Sequence, residues 1–125
     1  MITQALTALG ITEWVLRGTP SSEAEFLTMF SKVTGADSNG TAIESTDPAD
    51  WGFNVADVFA KAAELEAAEP LRLLRAERDR LIAETDWWAS SDLTMTPEQT
   101  AYRQALRDIT NSYTSLEDVV WPVKP

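Results

Sequence analysis

Twenty Asp and Glu side chains in 125 residues are the first candidates for chemistry. Close pairs such as Glu23/Glu25, Glu64/Glu66/Glu69 and Glu117/Asp118 could in principle share acid–base work. One member of such a pair must hold its proton near neutral pH, which requires burial or a crowded like charge. These pairs fall instead at helix starts and on polar helix faces, where they read as solvated charge. The stretch Asp37-Ser38-Asn39-Gly40 invites a calcium reading. A twelve-residue calcium loop with Gly40 at its glycine position would begin at Gly35 and end at Thr46, where Asp and Glu belong. The match fails at both ends, and an Asn-Gly turn is the simpler account. Six arginines (Arg72, Arg75, Arg78, Arg80, Arg103, Arg107) gather in the last half. They alternate with acids, so ion pairs along and between helices explain them better than a nucleic-acid stripe.

The chain has no His and no Cys. That removes the commonest general base, the commonest transition-metal ligand and all thiol chemistry. It has no glycine-rich phosphate loop and no nucleophile motif. The expectation is a non-catalytic protein with no metal and no cofactor.

What remains is aromatic. Trp87-Trp88 follows a run of good helix formers, and Trp121-Pro122-Val123-Lys124-Pro125 ends the sequence. An aromatic pair at a helix end closes a core or, if exposed, makes a binding hot spot. Both readings stand on the sequence alone. The Trp-Pro end favours extended, polyproline-like backbone. It either folds back on the helices or docks on another protein. The candidate protein-binding residues are Trp87, Trp88, Tyr102, Tyr113, Trp121 and Pro122.

The net charge of −10 opposes binding to nucleic acid or to an anionic membrane surface. It is uneven. Residues 1–70 carry 11 acids and three bases, while residues 71–125 carry nine and seven. The acidic half reads as soluble surface, with attraction of a basic partner as the alternative. There is no basic segment leading an apolar run at the N-terminus and no stretch of 18 apolar residues. A chain made in the cytoplasm, neither exported by a signal peptide nor spanning a membrane, is expected.

The elements that would position these residues can be drawn in order. Ile2 to Leu9 reads as a short helix stopped by Gly10, and Thr12 to Arg17 as a strand. Ser22-Glu23-Ala24-Glu25 is a capping box. It opens a helix with Phe26, Met29, Phe30 and Val33 on one face and Gly35 as its C-cap. Asn39-Gly40 suggests a type I′ turn, with Thr41 to Glu44 as the returning strand. Asp47-Pro48 marks a turn or helix start, and Asn54 caps a helix from Val55 to about Ala68. Pro70 predicts a break or sharp kink, with one continuous kinked helix as the competing reading. Leu71 to Thr85 is a strong helix, with Arg75–Asp79 and Arg80–Glu84 ion pairs four residues apart. Thr96-Pro97-Glu98-Gln99 opens a last helix, whose Tyr102, Leu106, Ile109 and Tyr113 share a face.

The expected architecture is α+β and mostly helical. A small sheet of two or three strands lies in residues 1–70, and an antiparallel helical hairpin with a Trp-Pro tail forms residues 71–125.

Read in order, Arg78-Asp79-Arg80-Leu81, Ala83, Thr85-Asp86-Trp87-Trp88, Tyr102-Arg103-Gln104-Ala105-Leu106-Arg107-Asp108-Ile109, Trp121-Pro122 and Pro125 resemble the phage tail assembly chaperone family. The resemblance covers residues 71–125. More loosely, Glu13-Trp14-Val15-Leu16-Arg17-Gly18 and Gly40-Thr41-Ala42-Ile43-Glu44-Ser45 resemble the front of marine cyanophage proteins. Family members often carry proline soon after the Arg-Asp-Ile stretch, whereas this chain has Thr110-Asn111-Ser112. The resemblance implies an assembly helper that binds another phage tail or tail-fibre protein, in the cytoplasm of an infected bacterium. A permanent tail or baseplate component, which would call for a larger interface and for homo-oligomers, is the alternative.

Overall fold

A computed structural model describes residues 1–125. Seven main elements follow one another: α1 (Ile2–Ala8), β1 (Trp14–Leu16), α2 (Glu23–Met29), β2 (Phe30–Ala36), β3 (Ala42–Ser45), α3 (Val55–Glu84) and α4 (Pro97–Arg107). Single 3₁₀ turns cover Pro48–Asp50, Asp86–Ala89 and Ile109–Asn111. The chain divides into two compact units, Met1–Glu66 and Ala67–Pro125. No helix is long and apolar enough to cross a membrane.

In the first unit, α1 buries Ala5 and Leu6 and ends on Gly10 at φ +73°. The Ile11 amide bonds back to the Leu6 carbonyl and the Gly10 amide to Thr7. This is the double closure that a left-handed glycine permits after a helix. The Ser22 hydroxyl accepts from the Glu25 amide at 3.2 Å and starts α2. The Glu25 carboxylate turns to Ser21, accepting from its amide and hydroxyl, and not to the Ser22 amide that the capping-box pattern suggests.

The helix then stops four residues short of its expected end. Phe30 leaves it in extended conformation (φ −98°, ψ +141°) and opens β2 directly. Phe30 and Val33 are therefore strand residues, and Gly35 lies beside an irregularity in the strand pairing and not at a helix cap. Tertiary pairing decides this. β2 is the centre of a three-stranded antiparallel sheet ordered β1-β2-β3. Leu16 faces Phe30 on one side, and Val33 faces Glu44 on the other. Two ladders of hydrogen bonds outweigh the helical preference of a short apolar stripe, and β-branched Val33 and Thr34 favour the extended form.

The β2–β3 hairpin turns at Asn39-Gly40, by a different geometry from the expected type I′. Gly40 alone is left-handed, at φ +79°. The Gly40 amide bonds to the Asp37 carbonyl and the Asp37 amide to the Thr41 carbonyl. This is a three-residue loop, a type I turn closed by a glycine bulge. The Asp37 carboxylate accepts from the amides of Asn39 and Thr41 and so is committed to the turn.

The core of this unit is aromatic. Phe26 stacks on Phe30 at 4.8 Å, and Trp51 meets Phe30 edge-on at 4.7 Å. Phe53 and Phe59 close on Phe26. Val58 and Ala62 of α3 complete the cluster, with Leu65 packed against it. The Trp51 indole donates to the Ser45 carbonyl, so burying its ring leaves no unpaired donor. Trp51 and Phe53 lie between elements, with no helical or strand period in the sequence to mark them as core.

α3 starts where Asn54 caps the Ala56 amide and continues for 30 residues through Pro70. The expected break is absent. Pro70 withholds an amide from the Glu66 carbonyl, a cost of about 3 kcal/mol in a helix interior. The neighbouring Ala67, Ala68, Leu71, Arg72 and Leu73 are strong helix formers that carry the backbone across it.

In the second unit, Leu74 is fully buried and Leu81 and Ile82 are half-buried. The Thr96 capping box is fully formed, with reciprocal bonds between Thr96 and Gln99, and Pro97 takes the first position of α4. Tyr102, Arg103 and Leu106 are the buried face of α4. The helix ends at Arg107, before the Ile109 and Tyr113 expected on its face: Ile109 is buried in the 3₁₀ turn that follows, and Tyr113 lies beyond that turn. Of the two ion pairs expected along α3, Arg80–Glu84 is present at 3.3 Å. Asp79 pairs with Arg78 and not with Arg75, because the adjacent guanidinium reaches it first.

Candidate functional site

The residues singled out in the second unit meet where α3 ends. The last carbonyls of a helix lack amide partners and need other donors. Here the Ile82 carbonyl accepts from the Thr85 amide at 3.0 Å and the Thr85 hydroxyl at 3.1 Å. It also accepts from Arg103 Nη1 of α4 at 3.1 Å. The same Nη1 donates to the Thr85 hydroxyl at 2.8 Å, and Nη2 donates to Asp86 Oδ1 at 3.0 Å. Thr85 and Arg103 are buried, while Asp86 stands largely in solvent. One guanidinium therefore ties α4 to the helix end, to the threonine behind it and to the first residue of the 3₁₀ turn Asp86–Ala89. Its Nε is buried without a partner.

That turn separates two identical neighbours. Trp88 points inward and is 5% exposed, with its ring 6.0 Å from that of Tyr102, itself 6% exposed. Leu106 completes the cluster, and Leu81, Ile82, Met95 and Trp121 pack around it. Trp87 points outward and is 62% exposed, at 6.2 Å from Trp88 and nearly perpendicular to it. The core-closing reading of the pair thus fits Trp88, and Trp87 is the exposed member.

The tail folds back. Trp121 is half-buried on the Trp88 cluster. Lys124 Nζ reaches Glu84 at 2.8 Å and lies 5.9 Å above the Trp88 ring. Tyr113 and Pro122 are half-buried and lie outside that cluster. Val120 and Val123, flanking the Trp-Pro pair, are exposed. Of the six candidate binding residues, then, Trp88 and Tyr102 are interior, Tyr113, Trp121 and Pro122 are intermediate, and Trp87 offers its ring to solvent.

The electrostatics favour ionised carboxylates. The Ser31 hydroxyl, then the Arg17 guanidinium, holds Glu44 below the ordinary glutamate value. Arg72 does the same for Glu69, Arg80 for Glu77, and Lys124 ahead of Arg80 for Glu84. Asp118 is lowered by the amide of Ser115, then by its hydroxyl and by Thr114. Each of these five carboxyl shifts is downward, the direction opposite to that of a general acid at neutral pH.

A cleft of about 420 Å³ in the first unit is lined by Lys32, Trp51, Phe53, Asn54 and Asp57 among others. Its one cation is already used. Lys32 Nζ donates to the Thr12 and Glu13 carbonyls and so holds the backbone at Glu13, which is left-handed at φ +56°.

Compared with known proteins, residues 71–125 match the model of the family described as phage tail assembly chaperone protein. No curated protein and no solved structure gives a significant match.

Proposed function

We propose, from the match of residues 71–125 to the phage tail assembly chaperone family, that this chain is a non-catalytic assembly protein that binds another phage tail or tail-fibre protein. The binding surface is centred on Trp87, with Tyr113, Trp121 and Pro122 at its margin. Trp88 and Tyr102 form the buried platform beneath it. The end of α3 and α4 act together as a two-helix hairpin that displays this surface, and the acidic residues 1–70 keep the complex soluble.

The observation that carries the reading is the exposure of Trp87. A tryptophan ring left 62% in water beside a packed core forgoes about 1.5–3 kcal/mol of burial, which a partner can recover. Tryptophan is enriched among residues whose loss weakens interfaces by 2 kcal/mol or more. The depressed carboxyls of Glu44, Glu69, Glu77, Glu84 and Asp118 accord with the non-catalytic part of the reading.

The test is co-purification of this chain with each tail and tail-fibre protein encoded beside it, followed by titration calorimetry of any complex found. Trp87→Ala should weaken the complex by roughly 30-fold or more. Full affinity in a folded Trp87→Ala protein would rule out this surface. Counting the chain in purified virions separates a helper that leaves from a component that stays. A fixed copy number in the virion would favour the permanent tail or baseplate component.

A further inference from the structure

We infer that Arg103 is a positioning residue. It holds the Asp86–Ala89 turn in the one conformation that presents Trp87, and it does so without adding net stability. The inference rests on the reading of Trp87 as the binding residue, and it deepens that reading by naming what aims the ring.

Three features carry it. First, the guanidinium is an expensive way to fill this space. It is buried, its Nε has no partner, and its only charged neighbour, Asp86, sits mostly in water. A buried charge so partnered recovers little of its desolvation cost, and an apolar side chain of similar size is often as stable or more so. Second, its contacts are redundant for the helix end. The Ile82 carbonyl already receives the Thr85 amide and hydroxyl. Losing Arg103 leaves that carbonyl satisfied and the Thr85 hydroxyl still donating. Third, its contacts are not redundant for the turn. Arg103 is the side chain that grips Asp86, the residue directly before Trp87. Asp86 makes no other ion pair.

The geometry therefore gives Arg103 a conformational task. It fixes which way the chain leaves α3, so that Trp88 goes in and Trp87 out. Holding an exposed ring still before binding lowers the ordering cost of association.

The test needs no partner. Arg103→Met and, separately, Asp86→Ala would be compared with the unaltered chain by ¹⁵N relaxation of the tryptophan indole N–H groups, with Trp87→Phe assigning the Trp87 signal. The Trp87 order parameter should fall from the rigid range near about 0.85 to below about 0.6, while Trp88 and Trp121 stay rigid. The urea midpoint of Arg103→Met should hold or rise. If Arg103→Met fails to fold, Asp86→Ala is read by the same criterion, since it removes only an exposed partner. An unchanged Trp87 order parameter, or an equal fall at all three indoles, overturns the proposal. Where a partner is in hand, Arg103→Met should cost about 2- to 12-fold in affinity. A loose Trp87 with unchanged partner affinity would leave the positioning role standing and refute Trp87 as the binding residue.

Discussion

Two adjacent tryptophans of identical chemistry should differ sharply when each is cut to alanine. Trp88 is 5% exposed and contacts Tyr102, Leu106 and the residues around them. Removing a buried tryptophan ring costs about 3–5 kcal/mol, part transfer and part cavity. Trp88, Tyr102 and Leu106 form the buried centre of this cluster, with Leu81, Ile82, Met95 and Trp121 packed around it, and how far these relax into the gap sets where in that range the cost falls. Small domains are stable by roughly 5–15 kcal/mol in total, and this one substitution should consume a large share of that. With a urea slope of roughly 1.5 kcal/mol/M for a chain of this size, the midpoint should drop by about 2–3 M. Trp87→Ala should move stability by no more than about 0.5 kcal/mol, as exposed substitutions do. The assay is urea unfolding followed by far-ultraviolet circular dichroism, with the Trp121 indole signal reporting the C-terminal cluster. Equal losses for the two variants, or a larger loss at Trp87, would refute the inward and outward assignment of the pair.

Three further outcomes are expected. Pro70→Ala restores the amide facing the Glu66 carbonyl within α3 and should raise stability by roughly 1–3 kcal/mol; a lower thermal midpoint would mean that the proline conformation is needed. Gly40→Ala places a side chain at φ +79° and should cost about 1–2 kcal/mol, read as a lower midpoint with the β2–β3 amides less protected from exchange. Lys124 holds the Glu84 carboxyl below its ordinary 4.5. A depressed folded-state value means that the tie adds stability above the unfolded value and is lost as pH falls through the lower, folded one. The Trp121 indole signal should therefore be steady down to about pH 4.5 and shift below it, and Glu84→Gln should abolish that acid step. An unchanged titration in Glu84→Gln would assign the step to another group.

Much of the local structure was legible because it rests on short-range hydrogen bonding. Ser22, Asn54 and Thr96 each cap the helix expected of them, since a side-chain oxygen reaches an amide two or three residues on. Gly10 ends α1 for a similarly local reason. Asn39-Gly40 marked a hairpin, although the number of loop residues, and so the turn type, depends on how β2 and β3 come into register. Phe30 to Val33 has helical spacing, yet lies in β2 because strands before and after it in the chain supply partners on both edges. At Pro70 the local rule gave the wrong weight, since one missing hydrogen bond did not outweigh the helix formers on either side.

The candidate site shows the same division. That Trp87 and Trp88 matter could be read from composition and from their place after a helix. Which of the two is buried could not. The Asp86–Ala89 turn has no long period from which to take an inward face, and its contacts come from afar: Arg103, 17 residues away in the chain, bonds Asp86, and Tyr102 and Leu106 receive Trp88. Likewise Trp121-Pro122 could have pointed away; contacts with the Trp88 cluster and the Glu84–Lys124 pair bring it back. The sequence by itself determined the caps, the turn sites, the absence of thiol and imidazole chemistry and the shared face of Tyr102 and Leu106 on α4, because each follows from residue types a few positions apart. Only the tertiary structure decided the sheet order, the length of α3 and the exposure of Trp87, because each depends on partners brought together from distant parts of the chain or on the balance of opposing energies.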